Sequence, residues 1–556
     1  MAATLDLPTL GAFYRRQLLE DVLPFWFPRA YDEKNGGLYH CFDADGTLVD
    51  TDKSVWAQGR MAWMLLTMYN SIEKNPDWLK WAESALNFLT AKCVDPADGR
   101  MYFHVEADGT PIRKRRYAYS ESFAAIAFAA HAKAAGNEES AKAASHWFDV
   151  FTDICFTPGK MVPKFTGNRP TTGLGTRMIT LATAQELRKY LGDEDGFYTG
   201  WIDRCINDLR TLFMKPELKA VMEVVGPDGA IIDHFDERTL NPGHTIEGGW
   251  FVLEEARFRG NDPELIKVGC DMIDWAFARG WDKENGGLLY FTDVYGKPVQ
   301  EYWHNMKFWW PHDEALIAMT LAYKLTGEER YAICHDMVHN WAFSHFQDVQ
   351  HGDWFGYLNK DGSRANTLKG SLWKSFFHHP RAMWFCAHYC GAISGKTKQL
   401  PNRRPSHFYG TAAFLFWTHQ SPAVIRKTFW RDAGLCGSLA NHGRRPHFLF
   451  LFLLRHSIFH SVAAKACGAP FCRGSGKRVY TGGPGKVFQR KLFTRAGGSC
   501  SQQRGYRTRF HGLKKHLHPG AEAFVPEVFP KCSRGLFPIR TGKPWKDRPH
   551  SLNKRN

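Results

Sequence analysis

Residues 241–250 place a histidine and a carboxylate at the start of a predicted helix. Asn241 is a typical N-cap residue and Pro242 favours the first helical position, so His244 falls in the first turn. Glu247 follows three residues later on the same face. A helix N-terminus disfavours an imidazolium and a nearby carboxylate favours it, so this pair can hold a histidine that exchanges protons near neutral pH. The structural alternative is a capped helix whose histidine bonds a neighbour.

Three further stretches place polar side chains where an apolar segment with helical spacing begins, and they contain Arg60, Glu314 and His378. Each again has a structural alternative. Arg60 can pair with a surface acid, Glu314 can satisfy a helix dipole, and His378 can be a buried histidine with a backbone partner. If helices of a barrel start at one mouth, the three residues and His244 line one pocket. Aromatic residues beside three of the four sites suit a hydroxyl-rich ligand with an apolar face.

The elements that must bring these residues together form a weak internal repeat. Turn signals recur about every 60 residues, most clearly at residues 32–39 and 282–290. The intervals are apolar at helical spacing, two helices to a repeat, and several turns read as short hairpins. Six repeats predict an all-α fold, an (α/α)6 barrel with short β-hairpins at one end. An open stack of repeats is the competing architecture. We favour closure because the polar sites are far apart in sequence and should converge.

The charge distribution divides the chain near residue 390. Residues 1–390 carry a net charge of −11, whereas residues 391–556 carry +27, within a total of +16. We therefore predict a barrel domain over 1–390 and an irregular, disordered basic tail over 391–556. The tail can be a flexible segment, a nucleic-acid-binding arm or sequence that did not evolve as coding sequence. We favour the last interpretation, so nucleic acid is not an expected partner.

The composition also bears on location. The 556 residues contain no apolar run of membrane-spanning length and no N-terminal pattern typical of a signal peptide. The 13 cysteines form no CxxC pair, which suits thiols in a reducing cytosol. We therefore expect a cytoplasmic protein without a membrane segment. The sequence shows no metal-ligand cluster, so no metal site is predicted.

Several motifs together resemble the N-acylglucosamine 2-epimerase family, also known as the renin-binding protein family. Their order and spacing fit the family across residues 1–390, and no tail residue takes part. Residues 371–373 and His379 depart from the family pattern. The matching motifs are Trp56-x-Gln-Gly-Arg60, Asn241-Pro-Gly-His-x-Ile-Glu247, Trp309-Trp-Pro-His-x-Glu-Ala315, Trp354-Phe-Gly-Tyr-Leu358, Lys369-Gly370, Lys374 and Phe377-His-x-Pro-Arg381.

The resemblance implies an (α/α)6 barrel that interconverts N-acetylglucosamine and N-acetylmannosamine. Inverting C2 of the open-chain sugar needs a base that removes the C2 proton and an acid that returns a proton to the opposite face. By resemblance these groups are His244 and His378. Arg60 is suited to stabilise the developing oxyanion, and Glu314 to bind hydroxyls or assist ring opening.

The resemblance extends to substrate binding and cofactors. No redox cofactor or metal is required, and modulation by a nucleotide such as ATP is implied. The expected partner is a small amino sugar, and the candidate assembly is a homodimer. Glu247 is also placed to orient His244. The predicted substrate-binding residues are Glu247, Trp309, Trp310, His312 and Arg381.

Other functions fit parts of the pattern. A cellobiose-type 2-epimerase and an aldose–ketose isomerase, which moves the proton from C2 to C1, are the nearest. A glycoside hydrolase can use Glu247 and Glu314 as its two carboxylates, but two histidines at helix starts are then unexplained. A non-catalytic binding partner, as the renin-binding name suggests, is separated from all of these by an assay of sugar turnover.

Overall fold

The computed structural model describes residues 3–114, 117–161 and 167–393. These residues all belong to the first of two compact units into which the chain divides. The predicted basic tail lies outside the described residues except for its first three positions. Within the described ranges, no helix is long and apolar enough to cross a membrane.

Twelve long helices form the wall of the described unit, in two concentric layers. The inner helices carry apolar residues around their whole circumference. In one of them, every residue from Trp309 to Ala322 is buried. The inner helices are Val55–Ser71, Tyr119–Ala135, Leu174–Leu191, Pro242–Phe258, Trp309–Thr326 and His378–Tyr389. The outer helices are Leu7–Arg16, Pro76–Lys92, Glu138–Phe156, Phe197–Asp208, Pro263–Gly280 and Glu329–His345.

Shorter helical segments extend or connect the long helices. The first outer helix continues through a π-helical turn and a short helix, and the fourth outer helix ends in a second π-helical turn. These segments are Gln17–Val22, Leu23–Trp26, Leu209–Phe213, Pro216–Leu218 and Phe235–Arg238.

The inner helices form a closed ring, which confirms the predicted barrel and excludes an open stack. Each contacts the next in chain order, and the last, His378–Tyr389, returns to contact Val55–Ser71. The N-terminal helix Leu7–Arg16 packs against His378–Tyr389 and covers the point of closure. Since an outer helix returns the chain after each inner helix, the inner helices begin at the same end of the barrel.

Thirteen short strands lie in six antiparallel sheets within the described ranges. Three pairings are local hairpins, as predicted. The others join segments distant in sequence: strands that precede an inner helix pair with the connection of a neighbouring repeat. The strands are Cys41–Phe42, Leu48–Asp50, Lys53–Ser54, His104–Val105, Pro111–Arg113, Thr172–Gly173, Met214–Lys215, Ala220–Val221, Val224–Val225, Thr239–Leu240, Thr292–Asp293, Lys307–Phe308 and Tyr357–Leu358.

Two buried ion pairs explain the clearest copies of the repeat. Asp32 accepts a hydrogen bond from Lys53 at 2.7 Å, and Asp282 accepts one from Lys307 at 2.8 Å. Each lysine is fully buried and lies just before an inner helix. Burial raises the pKa of Asp32, but the lysine and the turn amides outweigh it and lower that pKa to about 2. The repeated aspartate therefore anchors the start of an inner helix.

Candidate active site

A large cavity lies within the barrel, with a volume of about 2870 Å³. Residues from both ends of the inner helices line it. The helix Val55–Ser71 contributes Arg60 near its start and Asn70 near its end. The structure brings seven of the nine predicted site residues to this cavity: Arg60, His244, Glu247, Trp309, Trp310, His378 and Arg381.

Glu314 lies behind the cavity wall. It is fully buried, and its Oε1 contacts Nδ1 of His378 at 2.8 Å and Nη2 of Arg381 at 2.6 Å. Its Oε2 accepts a hydrogen bond from Nε1 of Trp250 at 2.8 Å. This geometry corrects the predicted contact of Glu314 with sugar hydroxyls. Both oxygens are used to position other side chains.

Arg381 joins two carboxylates from neighbouring inner helices. Its Nη2 lies 2.5 Å from Glu247 Oε1 and 2.6 Å from Glu314 Oε1. One potential ligand atom from each of Glu247, Glu314 and His378 lies within 4.8 Å of the other two, a spacing that could hold a metal ion. The sequence did not reveal this cluster. The guanidinium already supplies the positive charge between the carboxylates, so the geometry favours an arginine-held cluster over a cation site.

His378 is held as a neutral imidazole. Burial lowers its pKa well below the usual value, and the positive charges of Arg381 and Arg60 add to the effect. Its Nδ1 lies 2.8 Å from Oε1 of Glu314 and 3.2 Å from Nη2 of Arg381. The shorter contact, to the carboxylate, favours the Nδ1–H tautomer, which leaves the lone pair of Nε2 to accept a proton. The side chain borders the cavity. His378 is therefore suited to act as a base.

His244 has the opposite electrostatic environment. Asn241 caps its helix as predicted, and its side chain accepts a hydrogen bond from the backbone N–H of His244 at 3.1 Å. The His244 Nδ1 lies 3.1 Å from Oε2 of Glu223. Burial lowers the pKa of His244, but the carboxylates of Glu223, Glu247 and Glu314 outweigh burial and raise that pKa above the usual value. His244 is therefore suited to carry a proton.

Glu223 corrects the prediction that Glu247 orients His244, since Glu247 instead contacts Arg381. Glu223 lies between two strands of two residues each, and no motif of the sequence marked it. The segment that follows it, Val224–Val225, pairs with the distant strand Thr172–Gly173. That pairing between distant segments leaves no local signal in the sequence.

Aromatic rings surround the two histidines. The Trp310 ring centroid lies 5.0 Å from that of His244 and 5.8 Å from that of His378. Trp309 contacts His378 with its centroids 6.2 Å apart and Tyr357 with its centroids 5.4 Å apart. Such rings provide apolar surface for the carbon face of a sugar.

Arg60 reaches the cavity through an aromatic cage. Its guanidinium carbon lies 4.9 Å, 4.2 Å and 4.7 Å from the ring centroids of Trp56, Phe123 and Phe377. Burial and the charge of Arg381 lower the pKa of Arg60 to about 9. Among the described residues, its Nε has no hydrogen-bond partner. Arg60 therefore holds its guanidinium in a fixed, poorly solvated position beside the cavity.

His312 is not at the cavity surface. It is fully buried, its Nε2 accepts a hydrogen bond from the backbone N–H of Leu288 at 2.9 Å, and its Nδ1 lies 2.7 Å from the carbonyl oxygen of Phe308. Gln58 accepts the corresponding bond from Leu38 in another repeat. This placement corrects the predicted substrate contact, because both ring nitrogens hold the turn and strand before the helix.

Comparisons with known proteins identify the family of this chain. The sequence model of the family described as N-acylglucosamine 2-epimerase (GlcNAc 2-epimerase) matches residues 37–382. The mouse N-acylglucosamine 2-epimerase is 33% identical over 71% of this chain and 95% of its own length. The human one is 31% identical over 69% and 92%. A cellobiose 2-epimerase structure from Bacillus thermoamylovorans superposes with a TM-score of 0.60 and 21% identity, over 69% of this chain and 99% of that one. The chain is therefore an epimerase of the N-acylglucosamine 2-epimerase family.

Proposed function

We propose that this epimerase inverts C2 of an N-acylated hexosamine by proton exchange between two histidines. The observation that carries the proposal is the contrast between His378 and His244. Both border one cavity and each contacts its own carboxylate, yet burial beside arginines lowers the pKa of His378 and carboxylates raise that of His244. One free base and one free acid are therefore available at the same pH.

The reaction uses the open-chain sugar, in which C2 lies next to the C1 aldehyde. Nε2 of His378 takes the C2 proton, and the electron pair of the C–H bond forms the C1–C2 double bond of an enolate. His244 then gives its proton to the opposite face of C2, which restores the aldehyde with C2 inverted. The histidines have now exchanged protonation states, and solvent resets them. The reverse substrate uses the same groups in the opposite roles.

Arg60 is proposed to hold the oxygen at C1, where negative charge develops in the enolate. A buried guanidinium stabilises an oxyanion more strongly than a solvated one and needs no reorganisation. Trp309 and Trp310 bind the apolar face of the sugar, while Arg381 and Glu247 form the polar edge beside His378. Glu223 and Glu314 each keep the attached imidazole in one orientation.

The chemistry needs no redox cofactor, since substrate and product have the same oxidation state at every carbon. We propose N-acetylglucosamine and N-acetylmannosamine as the substrate pair. The names of the mouse and human relatives support this choice, as does their higher identity to this chain compared with the cellobiose 2-epimerase. A nucleotide response remains a prediction from the family resemblance.

The proposal is tested by NMR of N-acetylmannosamine incubated with the protein in heavy water. We expect both C2 epimers to accumulate with deuterium at C2. In a parallel incubation with mannose, whose C2 carries a hydroxyl, a ketose with deuterium at C1 would instead identify an aldose–ketose isomerase. Unchanged sugar from a folded protein would contradict the assigned substrate, and epimerisation of cellobiose in its place would identify the alternative substrate class.

The variant Glu223→Gln should lose activity at a lower alkaline pH than the wild type, so its pH range of activity should be narrower. The Glu223 carboxylate raises the pKa of His244, and the protonated form of His244 is lost as pH rises through that pKa. Removing the charge lowers this pKa, so the alkaline limb of kcat should move to lower pH. The acid limb should move little, because Glu223 does not contact His378.

The matched control is Glu83→Gln, which alters the Glu83–His131 pair at 3.2 Å, away from the residues that line the cavity. It should leave both limbs in place. An alkaline limb that is identical in wild type and Glu223→Gln would show that His244 does not act as the acid.

A further inference from the structure

A second histidine–carboxylate pair lies directly behind the first. Nδ1 of His379 lies 2.8 Å from Oδ1 of Asp313, the same distance that separates Nδ1 of His378 from Oε1 of Glu314. The two pairs use consecutive residues of the same two inner helices. His379 is 1% exposed and Asp313 is fully buried, and neither borders the cavity. The second pair therefore does not touch the substrate.

Stacked aromatic rings on the side away from the cavity hold the His379–Asp313 pair in place. The Trp354 ring stacks on His379 with centroids 4.1 Å apart and an interplanar angle of 28°, and Trp354 itself stacks on Phe346. The charged groups that act on this pair are Asp21, Asp353, Lys374 and Glu314. Trp354 is fully buried, so the imidazole of His379 has little freedom to rotate.

The helix His378–Tyr389 needs such a restraint at its start. Phe377 occupies its N-cap position, and among the described residues no side chain caps the helix there. An uncapped first turn readily frays, because its backbone N–H groups lack intrahelical partners. His378 is the first residue of this turn. Glu314 contacts both His378 and Arg381 of this helix, and the His379–Asp313 contact adds a restraint at the neighbouring residue of each helix, which further limits sliding and rotation.

We infer that Asp313 and His379 are positioning residues, which hold His378 at the geometry required to remove the C2 proton. The inference rests on the proposed function of His378. Proton transfer requires hydrogen-bonding distance and alignment, and a misplacement of about 1 Å can reduce the rate about 100-fold. Loss of the second pair should therefore reduce kcat rather than substrate affinity.

The test compares two amides at position 379 that differ by one methylene group. In His379→Asn the amide nitrogen lies close to the place of Nδ1 and can donate to Asp313, so kcat should stay within about threefold of wild type. In His379→Gln the amide nitrogen lies near the place of Nε2, so the contact is lost. Here kcat should fall about 10- to 100-fold with KM little changed.

A deuterium isotope effect separates positioning from loss of stability. With sugar deuterated at C2, the isotope effect on kcat should be larger in His379→Gln than in wild type, because proton transfer becomes slower relative to the other steps. The control is His335, a fully buried histidine whose Nε2 contacts the Tyr14 hydroxyl at 2.8 Å between two outer helices. His335→Gln should lower the melting temperature only.

Asp313, the residue that contacts His379, provides a second comparison if His379→Gln does not fold. Asp313→Asn keeps an acceptor oxygen and should retain kcat, whereas Asp313→Ala should show the lowered kcat and raised isotope effect. Equal kcat values for the Asn and Gln variants, or for the Asn and Ala variants, would overturn the inference. Wild-type protein that does not exchange the C2 proton would instead contradict the proposed function itself.

Discussion

Replacing either His244 or His378 with Asn is expected to reduce epimerisation about 10²–10⁴-fold, since each histidine supplies one proton-transfer step. Asn retains a polar group near the position of Nδ1 and can keep the contact with Glu223 or Glu314. It has no group that titrates, so the loss reports the missing acid or base. Turnover is measured by NMR of the two epimers, and the fold is checked by thermal denaturation.

The two variants should differ in the partial reaction that survives. Each retains one histidine, which can still exchange the C2 proton of the epimer that faces it. In heavy water, one variant should label N-acetylglucosamine and the other N-acetylmannosamine, without inversion. This result would also assign each histidine to an epimer. Turnover within tenfold of wild type in both variants would rule out the two-histidine mechanism.

The control for these variants is His131→Asn. His131 is a buried histidine of an inner helix, and it contacts Ser140 at 2.8 Å and Glu83 at 3.2 Å. It does not line the cavity. Turnover should therefore be unchanged, although the melting temperature can fall.

The variant Arg60→Lys should lower kcat about 10²–10³-fold, the range typical for loss of one oxyanion donor. The positive charge is kept, but an ammonium cannot reproduce the planar guanidinium that fits between Trp56, Phe123 and Phe377. The loss should appear mainly in kcat, because the enolate oxygen carries more charge than the aldehyde oxygen of the substrate.

A matched control is available in Arg177, which pairs with Asp208 at 3.0 Å and lies over the rings of Phe156 and Phe213. Arg177→Lys makes the same change of cation in an aromatic setting, but outside the cavity. It should keep full turnover. An Arg60→Lys enzyme with normal kcat would show that Arg60 does not stabilise the oxyanion.

The sequence by itself determined the architecture and the starts of the helices. Both depend on local rules that leave local signals. The aspartate turn of residues 32–39 recurs at 282–290 because both copies use the same buried aspartate–lysine pair to lead into an inner helix. Asn241 marked a helix start because a cap acts on the next few backbone N–H groups. Polar side chains at these starts could therefore be assigned to one end of the barrel.

Only the tertiary structure decided which carboxylate contacts which histidine. Glu247 is near His244 in sequence but contacts Arg381, while Glu223 reaches His244 from another connection. Glu314 and His312 have their polar atoms committed within the wall, and neither lines the cavity. The contacts of Glu223, Glu247 and Glu314 depend on how helices and connections that are distant in sequence pack together. Helical spacing fixes the face of a helix on which a side chain lies. The closed arrangement of the barrel decides which neighbouring segment that face contacts.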